Sequence, residues 1–479
     1  MSYPYVLSFK KTITVQREED ALVMANPRMG VLRYKNPPAV LVKMADALGG
    51  SGGTEDSLLG IMADGQTPGG IAVFYHYLRQ LDKNAFLCRS ILSGADPIAT
   101  LVPVSTFFRH EDIPVDATVR YRLSRFACCH MAEGEMTLES PLGLAKIILH
   151  DWRSSAAIHE LASPRSVAEI CGRVPGLAQD ECAALFSMLR NMQAIAEADE
   201  SNLLEEDKNL QLRQWEFHDL FFHTRSRLGR HNKPFGGTYR FKGSIEPLPA
   251  AKSVMRGEII PLYAPDIEAL KREDIPFTSV IEDRRSVREY DEQNPVTVKE
   301  LGEFLYRAAR IRGIREVDSK KGAYYESSSR PYPGGGAVYE LEVYLTVSKC
   351  SGLERGLYHY DPLGHRLCRL AEWNDKTERL FDDACLSMGY AYDTPDMLIT
   401  ISARFQRLSW KYESMAYAVM LKDAGILYQT MYLVATAMGL APCGIGGGDS
   451  DLFGQASGLD YYTEPSVGEF VLGREKSKT

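Results

Sequence analysis

Apolar residues recur first at strand spacing and then at helix spacing, and they do so twice within the first two hundred positions. In the first copy, FKKTITVQ (9–16) and MGVLRYK (29–35) read as strands. Pro38 and the helical run AVLVKMADAL (39–48) follow, then a short helix SLLGIM (57–62), a longer helix GIAVFYHYLRQ (70–80) and an extended return at 84–88. In the second copy, VRYRLSRFACCHM (119–131) and EMTLES (135–140) take the strand places. LGLAKIILHDW (142–152), SVAEICGRV (166–174) and AQDECAALFSMLRNM (178–192) take the helix places, and QAIAEA (193–198) the return. Pairing Pro38 with Pro141 and Leu78 with Leu189 gives a degenerate tandem repeat. Strands, three helices and a β return predict two winged helix-turn-helix-like modules, 1–103 and 104–204.

Residues 205–276 read as a connector that opens acidic and turns proline-rich. Within it, WEFHDLFFHTRSRLGRHNKPFGGTYRF (215–241) concentrates histidines, arginines and aromatic rings. This run serves either as an arginine clamp between domains or as a contact to a substrate or cofactor. From 277 to 479 the pattern becomes α+β. A helix VTVKELGEFLYRAARI (296–311) precedes a strand YELEVYLTV (339–347), with Leu341, Val343, Leu345 and Val347 on one face. A hairpin turns at DPLG (361–364), MLITISARF (397–405) is a buried strand, a long apolar helix covers roughly 414–440, and GEFVLGR (468–474) supplies a last strand.

At 479 residues the chain exceeds one core, and its 45% hydrophobic and 25% charged content is that of a globular protein. A net charge of -8 argues against a nucleic-acid coat or a basic membrane-surface protein. The helices in the recognition position agree: one carries Asp180 and Glu181 against Arg190, the other only Arg79. A module that docks a peptide against its wing strand fits better. No apolar run reaches the length that spans a bilayer. Nine cysteines, without a CxxC pair, read as reduced cytoplasmic thiols, and no metal site is expected.

Three motifs carry chemistry. Arg284, Arg285, Ser286 and Arg288 crowd guanidiniums and a hydroxyl into one turn, a donor set matched to a phosphate. Pro333, Gly334, Gly335 and Gly336 form a loop able to lie against a flat ring. Pro442, Gly444, Ile445, Gly446 and Gly447 form a second glycine turn after the long helix. Because a helix precedes it, the dinucleotide fingerprint does not apply. Lys411 stands between Trp410 and Tyr412 at the head of the apolar helix, where a desolvated amine can serve as a base.

RRSVREY, SSRPYPGGGAVYELEVYL, Trp410-Lys411-Tyr412 and the upstream WEFHDLFFHTRSRLGRH together resemble the SagB-type azoline dehydrogenases of the nitroreductase superfamily. The full layout is most similar to the cyanobactin thiazoline and oxazoline oxidases. The resemblance is strong over about 205–479 and architectural before it. Gly334 stands where the family usually has serine. The resemblance implies a C-terminal nitroreductase-like FMN domain behind two tandem winged modules, and a homodimer with FMN at its interface. Arg284, Arg285, Ser286, Arg288 and Arg474 would hold the phosphate and ribityl groups. Pro333 to Gly336, Pro442 and Gly444 to Gly447 would line the ring. Lys411 and Tyr412 would be catalytic on an azoline-containing precursor peptide, with oxygen as acceptor. A generic NAD(P)H-dependent nitro or quinone reductase and a flavin-sensing DNA-binding regulator are the alternatives.

Overall fold

The computed structural model describes residues 3–63, 70–389 and 393–476, without the side chains of 61–63. The chain divides into two compact units, Met1–Lys233 and Pro234–Thr479. This boundary falls inside the segment expected as a connector.

The N-terminal unit holds two three-helix sets. The first is Ala39–Gly49, Glu55–Ala63 and Gly70–Lys83; the second is Trp152–Glu160, Val167–Arg173 and Gln179–Asn191. Each packs its apolar stripe into its own core, Leu41, Met44, Phe74 and Leu81 in one, Ile158, Ile170, Leu185 and Leu189 in the other. A single six-stranded antiparallel sheet draws strands from both copies, in the order Val6–Phe9, Leu87–Ser93, Asp96–Pro103, Ala145–Leu149, Glu135–Glu139, Cys128–Ala132. A meander of Thr14–Arg17, Ala21–Asn26 and Gly30–Lys35 stands beside it.

One expected helix is a strand. Ala145–Leu149, inside the run matched to AVLVKMADAL, pairs with Ala99–Pro103 on one side and Met136–Glu139 on the other. Four of its five residues, Lys146 to Leu149, are paired on both sides, and Ile147 and Ile148 are β-branched, so pairing overrides the helical reading. The helix begins afterwards, at Trp152, where the Asp151 side chain accepts from Arg153 N at 2.7 Å. Pro38 therefore corresponds to Asp151, not Pro141, and the three helices repeat at offsets of 113, 112 and 109 residues.

The C-terminal unit is built on a seven-stranded antiparallel sheet. Its order is Ile259–Pro261, Arg366–Glu372, Gly356–Asp361, Leu341–Val347, Met397–Ala403, Ser466–Arg474, Leu440–Ile445. Helices Val298–Ala309 and Ala416–Ala437 cover one face, packing on Leu341, Val343, Leu345, Ile399 and Phe470. Asp375–Ser387 and Ser450–Ser457 cover the other, on Tyr344, Leu398 and Val471. Leu341–Val347 is thus buried on both faces rather than one. Its second face carries polar groups that are paired: Glu342 with His359 at 3.2 Å, and Tyr344 Oη donating to Glu464 at 2.6 Å. The stretch expected as a glycine loop after the long helix is largely strand. Leu440–Ile445 forms the sheet edge against Ser466–Arg474, and only the glycines from 446 remain outside it.

Candidate active site

The long helix Ala416–Ala437 organises the site. Met420, Ala424, Leu427, Met431 and Ala435 form its buried stripe. Val419 and Asp423 flank that stripe on one side and Tyr428 and Tyr432 on the other, because positions nine apart leave a helix in opposite directions. Each flank receives two of the candidate features.

On the Tyr432 flank lies the arginine turn. The Tyr432 hydroxyl accepts from Gly444 N at 2.7 Å and shares a hydrogen bond with Ser286 Oγ at 2.7 Å. Val287 N donates to Pro442 O at 2.9 Å, so the turn is pinned to the edge strand by backbone and side chain together. Arg284 lies with its guanidinium 5.4 Å from the centre of the Tyr432 ring. Among the described residues, neither Arg284 nor Arg288 has a carboxylate partner. Arg285 is paired with Glu475, and Arg474 donates to both oxygens of Glu300 at 2.7 Å and to Asn294 O at 2.8 Å. Gly446 and Gly447 are exposed, with open space where a side chain would stand, while Ile445 is buried.

On the Asp423 flank, the triple-glycine loop and the Lys-Tyr pair meet. Gly335 N donates to Asp423 Oδ2 at 2.9 Å, and a Cβ on Gly335 would strike Val419. Gly336 is left-handed at φ 62°, and a Cβ there would collide with Lys411 Nζ and Tyr412 Oη. Lys411 Nζ donates to Tyr325 Oη at 2.6 Å and lies 5.0 Å from the ring centres of both Tyr325 and Tyr412. Trp410 and Tyr239 close the surround, edge-on to each other at 5.9 Å. The indole N–H of Trp410 donates to Ile245 O at 2.7 Å. Lys411 does not head the long helix: it follows Phe405–Ser409 and precedes the Tyr412–Glu413 bridge to Gly236–Gly237.

This corner is strained and clamped. Tyr239, Ala337, Tyr339 and Ser414 are non-glycine residues at φ of 54°, 55°, 52° and 63°, each a conformation costing on the order of 1–3 kcal/mol. The neighbours that enforce them include the buried Arg407, which donates to Val338 O at 2.6 Å, Leu248 O at 2.5 Å and Glu326 O at 2.7 Å. Burial brings the Arg407 guanidinium down to about 10. Below the loop, burial and then the neighbouring Asp423 raise the carboxyl of Glu340, and burial raises Asp423. Both Glu340 carboxyl oxygens are buried, and burial disfavours the charged form.

The long run at 215–241 is divided. Within the N-terminal unit Arg225 pairs with Glu139 at 2.8 Å and Arg230 donates to Pro141 O and Leu142 O at 3.1 Å. Its far end gives Gly236, Gly237 and Tyr239 to the Lys411 corner. Reading by sequence missed Tyr239, Tyr325, Glu340, Asp423 and Tyr432. Only Asp423, a carboxylate inside an apolar helix, had a local signal. Among the described residues there is no cluster of histidine, cysteine and carboxylate able to hold a metal, and no helix is long and apolar enough to cross a membrane.

Residues 281–474 match the family described as the nitroreductase family. Residues 1–111 match one described as the ThcOx helix turn helix domain, and 121–232 one described as cyanobactin oxidase ThcOx. A putative nitroreductase of Methanocaldococcus jannaschii is 31% identical over 193 residues, 40% of this chain and 85% of its own length. The microcin B17-processing protein of Escherichia coli is 31% identical over 118 residues, 24% of this chain and 43% of its own. A crystal structure of a putative nitroreductase from Ralstonia eutropha aligns at 20% identity and a TM-score of 0.36, over 51% of this chain and all of that one.

Proposed function

Because the chain belongs to the nitroreductase family, we propose that it binds FMN and dehydrogenates thiazoline and oxazoline rings of a ribosomally made precursor peptide to the aromatic azoles. The observation that carries this reading is the closeness of Gly336 to Lys411 and Tyr412, the residues expected to line the ring and to act as its base. The two ThcOx matches ahead of the catalytic domain and the peptide-processing relative support the peptide as substrate.

The donor set fits FMN. Arg284 and Arg288, without carboxylate partners among the described residues, flank Ser286 and suit a phosphate dianion, with Arg285 and Arg474 behind them, each held by a carboxylate. Pro333 to Gly336, Pro442 and Gly444 to Gly447 suit the flat ring. The chemistry that a bound flavin supplies is acceptance of hydride from the ring CH₂, with oxygen as final acceptor. Lys411 removes the proton from the ring carbon derived from Cα. Tyr412 fixes the substrate on the same side, and the Gly336 backbone keeps the space between them free of a side chain.

The same geometry supports a homodimer. The two motif clusters sit on opposite flanks of one helix, so a ring touching both draws them from two copies. The outward face of that helix presents Leu421, Gly425, Gln429 and Leu433, with Lys422 as its single charge. We assign the precursor peptide to the N-terminal modules, 1–103 and 104–204, where Gly30–Lys35 ends its three-stranded meander as an edge unpaired among the described residues.

Anaerobic mixing separates this reading from a generic reductase. The flavin bleaches with an azoline peptide and stays oxidised with NADPH. Rapid bleaching by NADPH, and none by peptide, makes the protein a reductase instead.

A further inference from the structure

Tyr325 has one hydroxyl proton and two neighbours in reach of it. Its Oη lies 2.7 Å from Gly336 O and 2.6 Å from Lys411 Nζ. A carbonyl can only accept, so Tyr325 donates to Gly336, and Lys411 must donate to Tyr325. The hydroxyl therefore accepts from the lysine nitrogen whether that nitrogen is an amine or an ammonium.

We propose that Tyr325 is a positioning residue for Lys411, a role that rests on Lys411 being the base. By engaging one N–H, it turns the remaining positions of the nitrogen away from the Tyr325 side, toward the space that Gly336 leaves open beside Tyr412. When Lys411 takes up the substrate's proton, Tyr325 still accepts from it, and the Tyr325 and Tyr412 rings, each 5.0 Å away, face the new charge. Tyr325 is itself held. Arg407 grips the next carbonyl, Glu326 O, together with Val338 O beside Gly336, so one guanidinium ties the segments carrying tyrosine and glycine. The tyrosine ring lies against Trp410 at 6.2 Å and Tyr239 at 6.5 Å.

The test is Tyr325→Phe, which keeps the ring and its packing, assayed as FMN-loaded enzyme on an azoline peptide carrying protium or deuterium at the ring carbon derived from Cα. The expected result is a kcat lower by about tenfold, with KM and flavin occupancy unchanged and a larger primary isotope effect, because proton removal becomes slower. An unchanged kcat and isotope effect overturns the proposal. So does a loss confined to KM or flavin occupancy, which marks a structural role. Lys411→Ala, run in parallel, keeps the two claims apart. If it still turns over, the base assignment falls and Tyr325 falls with it. If it is inactive while Tyr325→Phe matches the parent, only the positioning role falls.

Discussion

The two flanks of the long helix are finished differently. Around Tyr432, guanidiniums are left without carboxylate partners among the described residues: Arg284 rests on a ring, and Arg288 stands exposed. Around Asp423, the polar groups meet one another: Lys411 with Tyr325, Tyr325 with Gly336, Gly335 with Asp423. An anion site keeps donors open until the ligand fills them, whereas a base must be aimed before substrate arrives. On the proposed function, the difference separates a binding flank from a chemical one.

The largest blow to that contrast is on the chemical flank. Gly336→Ala adds a methyl group where Lys411 and Tyr412 already stand, at a left-handed φ. It lowers kcat by ~100-fold, the effect of a displacement of about 1 Å, a larger loss than the accompanying one in FMN affinity, read by fluorescence titration. Arg284→Ala and Arg288→Ala do the reverse. Each weakens FMN binding by about tenfold to a hundredfold, the loss of one charge-assisted hydrogen bond, while kcat at saturating FMN holds. Tyr432→Phe leaves Gly444 N–H without its acceptor and lowers unfolding stability by about 1–2 kcal/mol in urea melts.

The smallest effect is on pH dependence. Burial and then Asp423 raise Glu340, so the folded chain keeps a proton that the unfolded chain releases above the ordinary carboxylate range. The stability from this pair is full at acid pH and is lost as pH climbs through the raised folded value. Glu340→Gln flattens that decline, seen as a smaller shift of the urea midpoint between about pH 5 and about pH 8.

Much of the C-terminal unit was legible. Leu341–Val347 alternates apolar positions, Met397–Ala403 is a near-continuous apolar run, and Val298–Ala309 carries a clean stripe behind the Thr297–Glu300 capping box. The sequence misled where period alone cannot decide. AKIIL suits a buried helix or a central strand, and only its two sheet partners choose. In the candidate site, Lys411 and Gly336 announced themselves by local composition, and Tyr412 by the family resemblance. Tyr325, Tyr239 and Tyr432 did not, since each reaches the site through chain reversals that no spacing records. The sense of the Lys411 neighbourhood also changed: its burial comes from tyrosines brought in from 239 and 325, not from a helix N-terminus.

The most direct test is the mass of an azoline peptide after incubation with FMN-loaded protein and with FMN-loaded Lys411→Ala. The parent removes the mass of two hydrogen atoms from each ring, and the variant, with flavin still bound, removes none. Full loss of mass with the variant contradicts the assignment of Lys411 as the base.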